Sequence, residues 1–208
     1  MRTHVVFLVA LAGMLLAAAA AAATAAPPAV TISLSRPTVV YGGSVTLSGK
    51  VSDSKDGQSV QVMAEAYPAT SFSPLGSPVT TTAGGHWSDV VKPTIQTSYE
   101  ATWKNATSST VTVKVRPLIA LTLVKLATGT FSTKVTAARS FAGKFVNVQR
   151  LTSTGALTLK KVTLDSNSSA TFRVRLHAGR NRLRVVMPSS QTAPGYISGM
   201  SKVLTVTR

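Results

Sequence analysis

Short stretches of alternating apolar and polar residues recur along nearly the whole chain after residue 25. Val45 and Leu47 alternate with Thr46 and Ser48, and the run VTVKV over 111–115 repeats the pattern. Alternation with a period of two is typical of strands that bury one face. It predicts strands at 30–35, 44–51, 59–66, 78–82, 86–92, 98–103, 110–115, 118–125, 131–137, 144–151, 157–164, 171–176, 182–187 and 202–207.

Turn residues and strand composition indicate how these strands are arranged. Glycine-containing turns at 41–43, 55–57 and 83–85 separate them, and the abundant Thr, Ser and Val suit a pleated, half-buried surface. Seven short strands in each stretch of about 90 residues favour an antiparallel β-sandwich. No stretch after residue 25 shows a convincing helical period, so we expect an all-β fold.

The segment 1–25 has the layout of a secretory signal peptide. Arg2 precedes an apolar run over 5–23, and Ala23 and Ala25 form an A-x-A cleavage site. The alternative is an uncleaved anchor, because about 19 apolar residues approach the roughly 20 that span a bilayer. We expect cleavage before Ala26 and a secreted protein.

Internal similarity divides the remaining residues into two units. GSVTLSGKV at 43–51 recurs loosely as GTFSTKV from 129, GQSVQV at 57–62 recurs as GKFVNV from 143, and HWSDV at 86–90 is matched by TFRV from 171. The offsets are 86, 86 and 85 residues, as in a tandem repeat. We therefore predict domains at 26–115 and 116–208. Arg116 and Pro117 form a short connection that favours a stiff rod.

Several runs resemble bacterial immunoglobulin-like repeats of secreted and surface proteins. VYGGSVTLSG at 40–49 is similar to the opening of such repeats, TTAGGHW at 81–87 to their central hairpin, and YEATW at 99–103 to the core strand that follows. The second unit departs from this pattern, with NSS at 167–169 where the first has Gly-Gly. The resemblance implies two tandem antiparallel immunoglobulin-like β-sandwiches. Repeats of this kind serve as spacers, adhesion modules or ligand-binding modules, so the fold does not select the function.

The residue inventory argues against an enzyme. Without Cys there is no disulfide framework, thiolate zinc site or Cys nucleophile. His86 and His177 lie at different points of separate units, and neither lies near a Ser or Asp in a nucleophile pattern. Asp53 and Asp56 share a tight turn where Asp is favoured, and too few oxygen ligands surround them for calcium. We expect a non-enzymatic protein with no cofactor and no metal.

Charge is distributed unequally between the units. The chain carries 22 Lys and Arg against 6 Asp and Glu, a formal net charge of +16. Residues 26–115 hold six basic and five acidic residues, whereas 116–208 hold fifteen basic residues and one acid, Asp165. A composition bias of the whole chain does not explain this difference, so the second unit is the candidate binding region.

Strand parity predicts which basic side chains point outward. Inward Phe172, Val174 and Leu176 place two arginines outward on one strand, and inward Leu183 and Val185 place three outward on the next. The outward set is Lys134, Lys161, Arg173, Arg175, Arg180, Arg182 and Arg184. In an immunoglobulin-like topology the fifth and sixth strands belong to opposite sheets. The two arginine rows are then expected on opposite faces, which favours general polyanion affinity over one focused patch.

The expected partner is an anionic cell-wall polymer, an anionic glycan or a membrane surface. Several basic residues near an anionic surface contribute about 1 kcal/mol each, with strong salt dependence. Nucleic acid is disfavoured by the signal peptide and by the lack of exposed aromatic residues among the basic ones. The alternative is that the charge only keeps the strand surfaces soluble and their edges unpaired. The protein would then be a spacer.

The segment 188–200 is a second candidate site, for a protein or carbohydrate ligand. It is longer than a hairpin needs, and end loops of sandwiches carry recognition. Tyr196, Ile197 and Met200 are the expected contact residues. The alternative is that they fold back over the open end of the sandwich. Trp87, Tyr99 and Trp103 have inward parity and are expected in the core.

Overall fold

The structure is a computed structural model and describes residues 26–208. The predicted signal peptide over 1–25 lies outside the described residues. Strands make up most of the described chain, and one helical turn, α1, spans Ser189–Thr192. Sequence patterns did not predict this turn. The all-β fold is confirmed.

The described residues 26–116 form the first unit, with two sheets. Its strands are β1 (Ser33–Leu34), β2 (Thr38–Val40), β3 (Val45–Lys50), β4 (Ser59–Ala66), β5 (Ser73–Pro74), β6 (Val79–Thr80), β7 (His86–Val91), β8 (Thr97–Trp103), β9 (Ala106–Thr107) and β10 (Val111–Arg116). One sheet has the order β1-β3-β7, and the other has the order β2-β10-β8-β4-β5, with β6 paired to β4 and β9 to β8. Strand β2 runs parallel to β10, while the other described pairs of this unit are antiparallel.

Residues from Pro117 onward form the second unit, again with two sheets. Its strands are β11 (Leu118–Lys125), β12 (Thr130–Thr136), β13 (Phe145–Thr152), β14 (Gly155–Thr163), β15 (Ser169–Arg173), β16 (Arg180–Met187), β17 (Gly199–Met200) and β18 (Leu204–Thr207). One sheet has the order β11-β12-β15 and the other β14-β13-β16-β17, with β18 also paired to β16. Strands β15 and β16 are the fifth and sixth of the unit and lie in different sheets, as in an immunoglobulin-like sandwich.

The cores follow the predicted alternation. In β8, Thr97, Tyr99, Ala101 and Trp103 are buried while the residues between them are partly exposed. Trp87 is buried as well. Valine dominates the buried set, because its branched side chain packs well on a pleated surface.

Equivalent hydrogen bonds align the two units and correct two of the three offsets. Two contacts recur: Val51 N to Gly85 O matches Val135 N to Ser168 O, and Gly57 N to Thr81 O matches Gly143 N to Leu164 O. The GQSVQV offset of 86 therefore agrees with the structure. Strands β3 and β12 are offset by 84 residues, not 86, since Val51 matches Val135. Strands β7 and β15 are offset by 83 residues, not 85, because Gly85 and Ser168 both have positive φ and occupy the same position in the turn. Trp87 consequently occupies the position of Ala170, not Phe172.

Candidate functional site

The seven basic residues predicted to point outward are divided between the two sheets of the second unit and the segment that follows β15. Lys134 projects from β12, in the three-stranded sheet. Lys161 on β14 and the row on β16 lie on the other sheet. Arg173 and Arg175 lie at and just after the end of β15. All are exposed except Arg184, which is partly exposed. The structure therefore does not bring the seven together.

Arg173 and Arg175 belong to a basic cleft that parity did not reveal. The cleft has a volume of about 610 Å3 and lies where β13 and β14 of one sheet face the segment that follows β15 of the other. Its lining residues are Arg150, Leu159, Lys160, Arg173, Val174, Arg175, Leu176, His177, Ala178 and Arg208. Five of these are Lys or Arg. We call this set the basic cleft.

Arg150 enters the cleft from the inner face of its sheet. It pairs with Leu183, whose side chain is fully buried, and directly paired residues of antiparallel strands point to the same face. Arg150 therefore points between the sheets, and its Nη2 donates to Arg175 O at 2.7 Å. Its Nε is buried and has no hydrogen-bond partner among the described residues. The guanidinium thus bridges the sheets with one donor unsatisfied.

A β-bulge in β14 places two successive side chains in the cleft. Lys160 pairs with Val148, but Thr158 pairs with Gln149, so Leu159 is an extra residue without a ladder partner. A bulge of this kind sets two residues against one and redirects their side chains. Leu159 and Lys160 both line the cleft as a result, which regular alternation would not allow.

Arg208 completes the cleft from the end of the described chain. Its Nη1 donates to Leu176 O at 3.1 Å, and its main chain exchanges hydrogen bonds with Gly179. Asn181 is fully buried and holds the same turn, because its Nδ2 donates to His177 O at 2.9 Å and to Gly179 O at 3.0 Å. The turn and Arg208 are thereby fixed relative to β16.

The cations of the second unit have no acidic partner among residues 26–208. The only described ion pair joins Lys104 and Asp53, in the first unit. The one acid of the second unit, Asp165, accepts hydrogen bonds from the backbone of Asn167 and Ser169. Its carboxylate is committed to a turn, so the positive charge of the cleft is not compensated within the described chain.

The equivalent cleft of the first unit is not basic. The offset of 83 residues places Val90 at the position of Arg173 and Lys92 at that of Arg175. The cleft there has a volume of about 420 Å3 and is lined by Leu75, Gly76, Ser77, Asp89, Val90, Val91, Lys92 and Tyr99. One lysine and one aspartate leave it formally neutral. The basic character is a property of the second unit and not of the fold.

The remaining basic candidates lie on outer faces of strands. Arg184 Nε donates to Gln149 Oε1 at 2.9 Å, and Lys161 Nζ lies 3.7 Å from the centre of the Phe145 ring. Arg180 and Arg182 pair with residues of β18 and are exposed. These residues provide positive charge on the strand surface but do not line the basic cleft.

The expected exposed contact cluster at Tyr196, Ile197 and Met200 does not form. Tyr196 is 4% exposed, Ile197 is partly exposed and Met200 is 53% exposed. The Tyr196 hydroxyl donates to Thr94 O at 2.6 Å, in the first unit, and accepts from Ala138 N at 2.9 Å, in the second. Burial raises the pKa of this phenol above its ordinary value. Its ring is therefore unavailable as an exposed ligand contact.

The segment 195–198 instead clamps the two units together. Gln96 N donates to Gly195 O at 2.9 Å, and Ile197 N donates to Val115 O at 3.0 Å. Arg116 Nη1 donates to the carbonyl of Ser198. Gly195 has φ +83°, and a Cβ there would lie 2.8 Å from Ile95 Cδ1. We call residues 195–198 the clamp. The segment folds back, as in the alternative expectation, but onto the neighbouring unit.

Metal-binding and membrane-spanning features were also sought in residues 26–208. Within that range no group of three or more His, Asp or Glu side chains is placed to hold a metal ion. His86 lies on β7, whereas His177 lies in the cleft of the other unit. None of the helices in the described part of the chain is long and apolar enough to cross a bilayer.

Comparison with known proteins shows likeness of fold alone. No family model and no characterised protein matches this sequence. A tetra-tandem repeat from the extending region of a large adhesion protein is 13% identical, with 86% of this chain and 49% of that chain covered and a TM-score of 0.36. A C-terminal intimin fragment in complex with the intimin-binding domain of the translocated intimin receptor is 14% identical, with coverages of 85% and 62% and a TM-score of 0.41. The D0-D1 domain of intimin is 12% identical, with coverages of 86% and 97% and a TM-score of 0.32. The chain thus spans about half of the first and less than two thirds of the second.

Proposed function

We propose that this chain is a secreted, non-enzymatic immunoglobulin-like protein whose second unit associates with an anionic polymer of the cell envelope. The observation that supports it is the uncompensated charge of the second unit, where fifteen basic residues face a single carboxylate that already caps a turn. The first unit is nearly neutral and acts as a spacer or as a second interaction module. No nucleic acid, cofactor or metal is part of the proposal.

Association of this kind is electrostatic and therefore sensitive to salt. Exposed Lys and Arg near an anionic surface contribute about 1 kcal/mol each, and the Debye length falls from about 10 Å at 0.1 M salt to about 3 Å at 1 M. The exposed Arg180 and Arg182 act in this way, because neither is paired with an acid in residues 26–208. Binding through such residues is strong at low salt and is lost at high salt.

Co-sedimentation of residues 26–208 with purified cell-wall and membrane fractions tests the proposal. We expect the protein to pellet at low salt and to be released at high salt. A variant with Arg180, Arg182 and Arg184 changed to Gln is expected to pellet less than a control with Lys50 and Lys114 and Lys55 changed to Gln in the first unit. Pelleting that is equally weakened by the two variants would contradict a role specific to the second unit.

A spacer is the second candidate, and the clamp favours it because contacts across the junction suit a stiff connecting element. Failure to pellet at low salt would leave this candidate in place of envelope binding. An adhesin that binds protein or carbohydrate through 188–200 would instead pellet at both salt concentrations. Only Met200 of the three expected contact residues is well exposed there.

A further inference from the structure

We propose that the basic cleft binds a phosphate group of an anionic polymer. This inference rests on the proposed function, since it names the chemistry and the place at which the second unit holds its polymer. The residues that carry it are Arg150, Lys160, Arg173, Arg175 and Arg208, which come from both sheets and from the end of the described chain.

Two of the guanidinium groups are held in place by the backbone before any ligand arrives. Arg150 donates to Arg175 O, and Arg208 donates to Leu176 O. Both acceptor carbonyls belong to the segment that carries the exposed Arg173 and Arg175. Fixing a side chain in advance reduces the entropy lost on binding. The cleft is therefore organised around one short segment, with donors approaching it from two sides.

The same arrangement is unfavourable without an anion. Five formal positive charges line one cleft, and its lining residues include no Asp or Glu. Arg150 Nε is buried without a partner in the described structure, and an unsatisfied buried donor costs stability. An anion in the cleft would offset the repulsion between these cations and supply an acceptor.

The chemistry of the lining residues indicates a phosphate rather than a carboxylate. Four of the five cations are Arg, whose planar fork forms paired hydrogen bonds with oxyanions. A tetrahedral phosphate presents its oxygens in several directions, which suits lining residues that belong to β13, β14 and the segment after β15. A planar carboxylate presents two oxygens in one plane and engages fewer of them. The neutral cleft of the first unit, with Val90 and Lys92 at the equivalent positions, predicts no such binding there.

A polymer, and not an isolated phosphate, fits the surroundings of the cleft. Arg180 follows the lining residue Ala178 by two positions and begins the exposed row on β16. Successive phosphates of a chain leaving the cleft at this end therefore meet further positive charge. An isolated anion would use the cleft alone and would gain nothing from the row.

Calorimetric titration of residues 26–208 tests this proposal, with linear polyphosphate as the probe and polyaspartate of equal charge as the comparison. Arg173 and Arg175 are changed together to Gln. The matched control changes the exposed Lys144 and Lys202 together to Gln, which removes the same charge from the same unit outside both the cleft and the row on β16. We expect the loss of polyphosphate affinity to be about tenfold greater for the cleft variant than for the control. A hydrogen bond to a charged group contributes more binding free energy than a surface charge that salt screens. Changing Arg173 and Arg175 together to Lys keeps the charge and removes the planar fork of the guanidinium. We expect this change to weaken polyphosphate binding more than polyaspartate binding.

Three other results of the titration would overturn part or all of the proposal. Equal losses in the two Gln variants would overturn the cleft and leave diffuse association by net charge, so the proposed function would stand. If the wild-type chain bound neither probe at low salt, both proposals would fail. If vesicles containing phosphatidylglycerol bound in a cleft-dependent manner and polyphosphate did not, the phosphate would come from a lipid headgroup and the assignment to a polymer would be overturned. Circular dichroism of every variant verifies that the fold is retained.

Discussion

The clamp allows a direct test of how strongly the two units depend on each other. Changing Tyr196 to Phe removes one hydroxyl and keeps the ring, which packs edge-on against Phe141 with 5.7 Å between ring centres. The lost group donates to Thr94 O and accepts from Ala138 N, so one substitution breaks a contact to each unit. We expect the variant to fold and to lose part of the coupling between the units.

The size of the effect follows from the burial of those two contacts. Removing one partner of a hydrogen bond costs about 1–3 kcal/mol when the remaining group is buried. Thr94 and Ala138 are themselves exposed residues and regain water as a partner, which places the expected loss at about 1–2 kcal/mol. For a protein of this size, 1 kcal/mol corresponds to a shift in Tm of about 2–4 °C. We expect Tm to fall by roughly 2–8 °C.

Differential scanning calorimetry of residues 26–208 measures the loss, and Tyr67 provides a matched control. Tyr67 lies at the same junction, and its hydroxyl has no hydrogen bond in the described structure. Changing Tyr67 to Phe should leave Tm within about 1 °C, because surface changes of this kind are usually within about 0.5 kcal/mol. The reasoning is refuted if the two variants shift Tm equally, or if Tyr196→Phe leaves Tm unchanged.

Three further measurements test the junction and the cleft. Changing Gly195 to Ala is expected to lower the unfolding free energy in urea by about 1–2 kcal/mol more than the same change at Gly179, because both have positive φ but only Gly195 is crowded. Changing the buried Asn181 to Ala is expected to cost about 1–3 kcal/mol in the same assay and to weaken polyphosphate binding, since it holds the turn over 177–179. Burial raises the pKa of Tyr196, so the unfolded chain loses this proton first and the unfolding free energy falls above about pH 10; Tyr196→Phe should make that fall shallower.

Strand periodicity was sufficient to predict the fold because most of these strands bury one face. Alternation around Phe172 and Leu183 identified the inward residues correctly, and the exposure of Arg173 and Arg182 followed from it. The equivalent positions of the two units were harder to predict, because similar amino-acid sequences do not show which backbone groups form hydrogen bonds. Trp87 and Phe172 are both buried aromatics, yet the turns before them show that they are not equivalent.

The cleft required information that parity does not contain. Arg150 lies near the end of a predicted strand, and its pairing with the buried Leu183 shows that it points between the sheets. The contribution of Leu159 and Lys160 depends on a bulge, which has no signature in the local sequence. Arg208 lies beside Leu176 only after the last strand has paired. Contacts between residues distant in sequence decide all three.

The fate of Tyr196 shows a related limit. A long loop with an aromatic residue at the end of a sandwich has the composition of a binding loop. The composition of the loop does not determine whether a ligand or a neighbouring unit covers the Tyr196 ring. The presence of the first unit decides it here, because Thr94 supplies an acceptor at 2.6 Å.

The clamp also has a consequence for direction. Two bodies joined by a single peptide can rotate relative to each other, whereas bodies joined at Pro117 and also by the clamp, where Tyr196 donates to Thr94 O, keep one mutual angle. A protein that binds a polymer through its basic cleft would then project its first unit at a fixed angle from the polymer chain. Many copies along one strand would all lean the same way. The direction of the polymer would then determine the direction in which all the first units project.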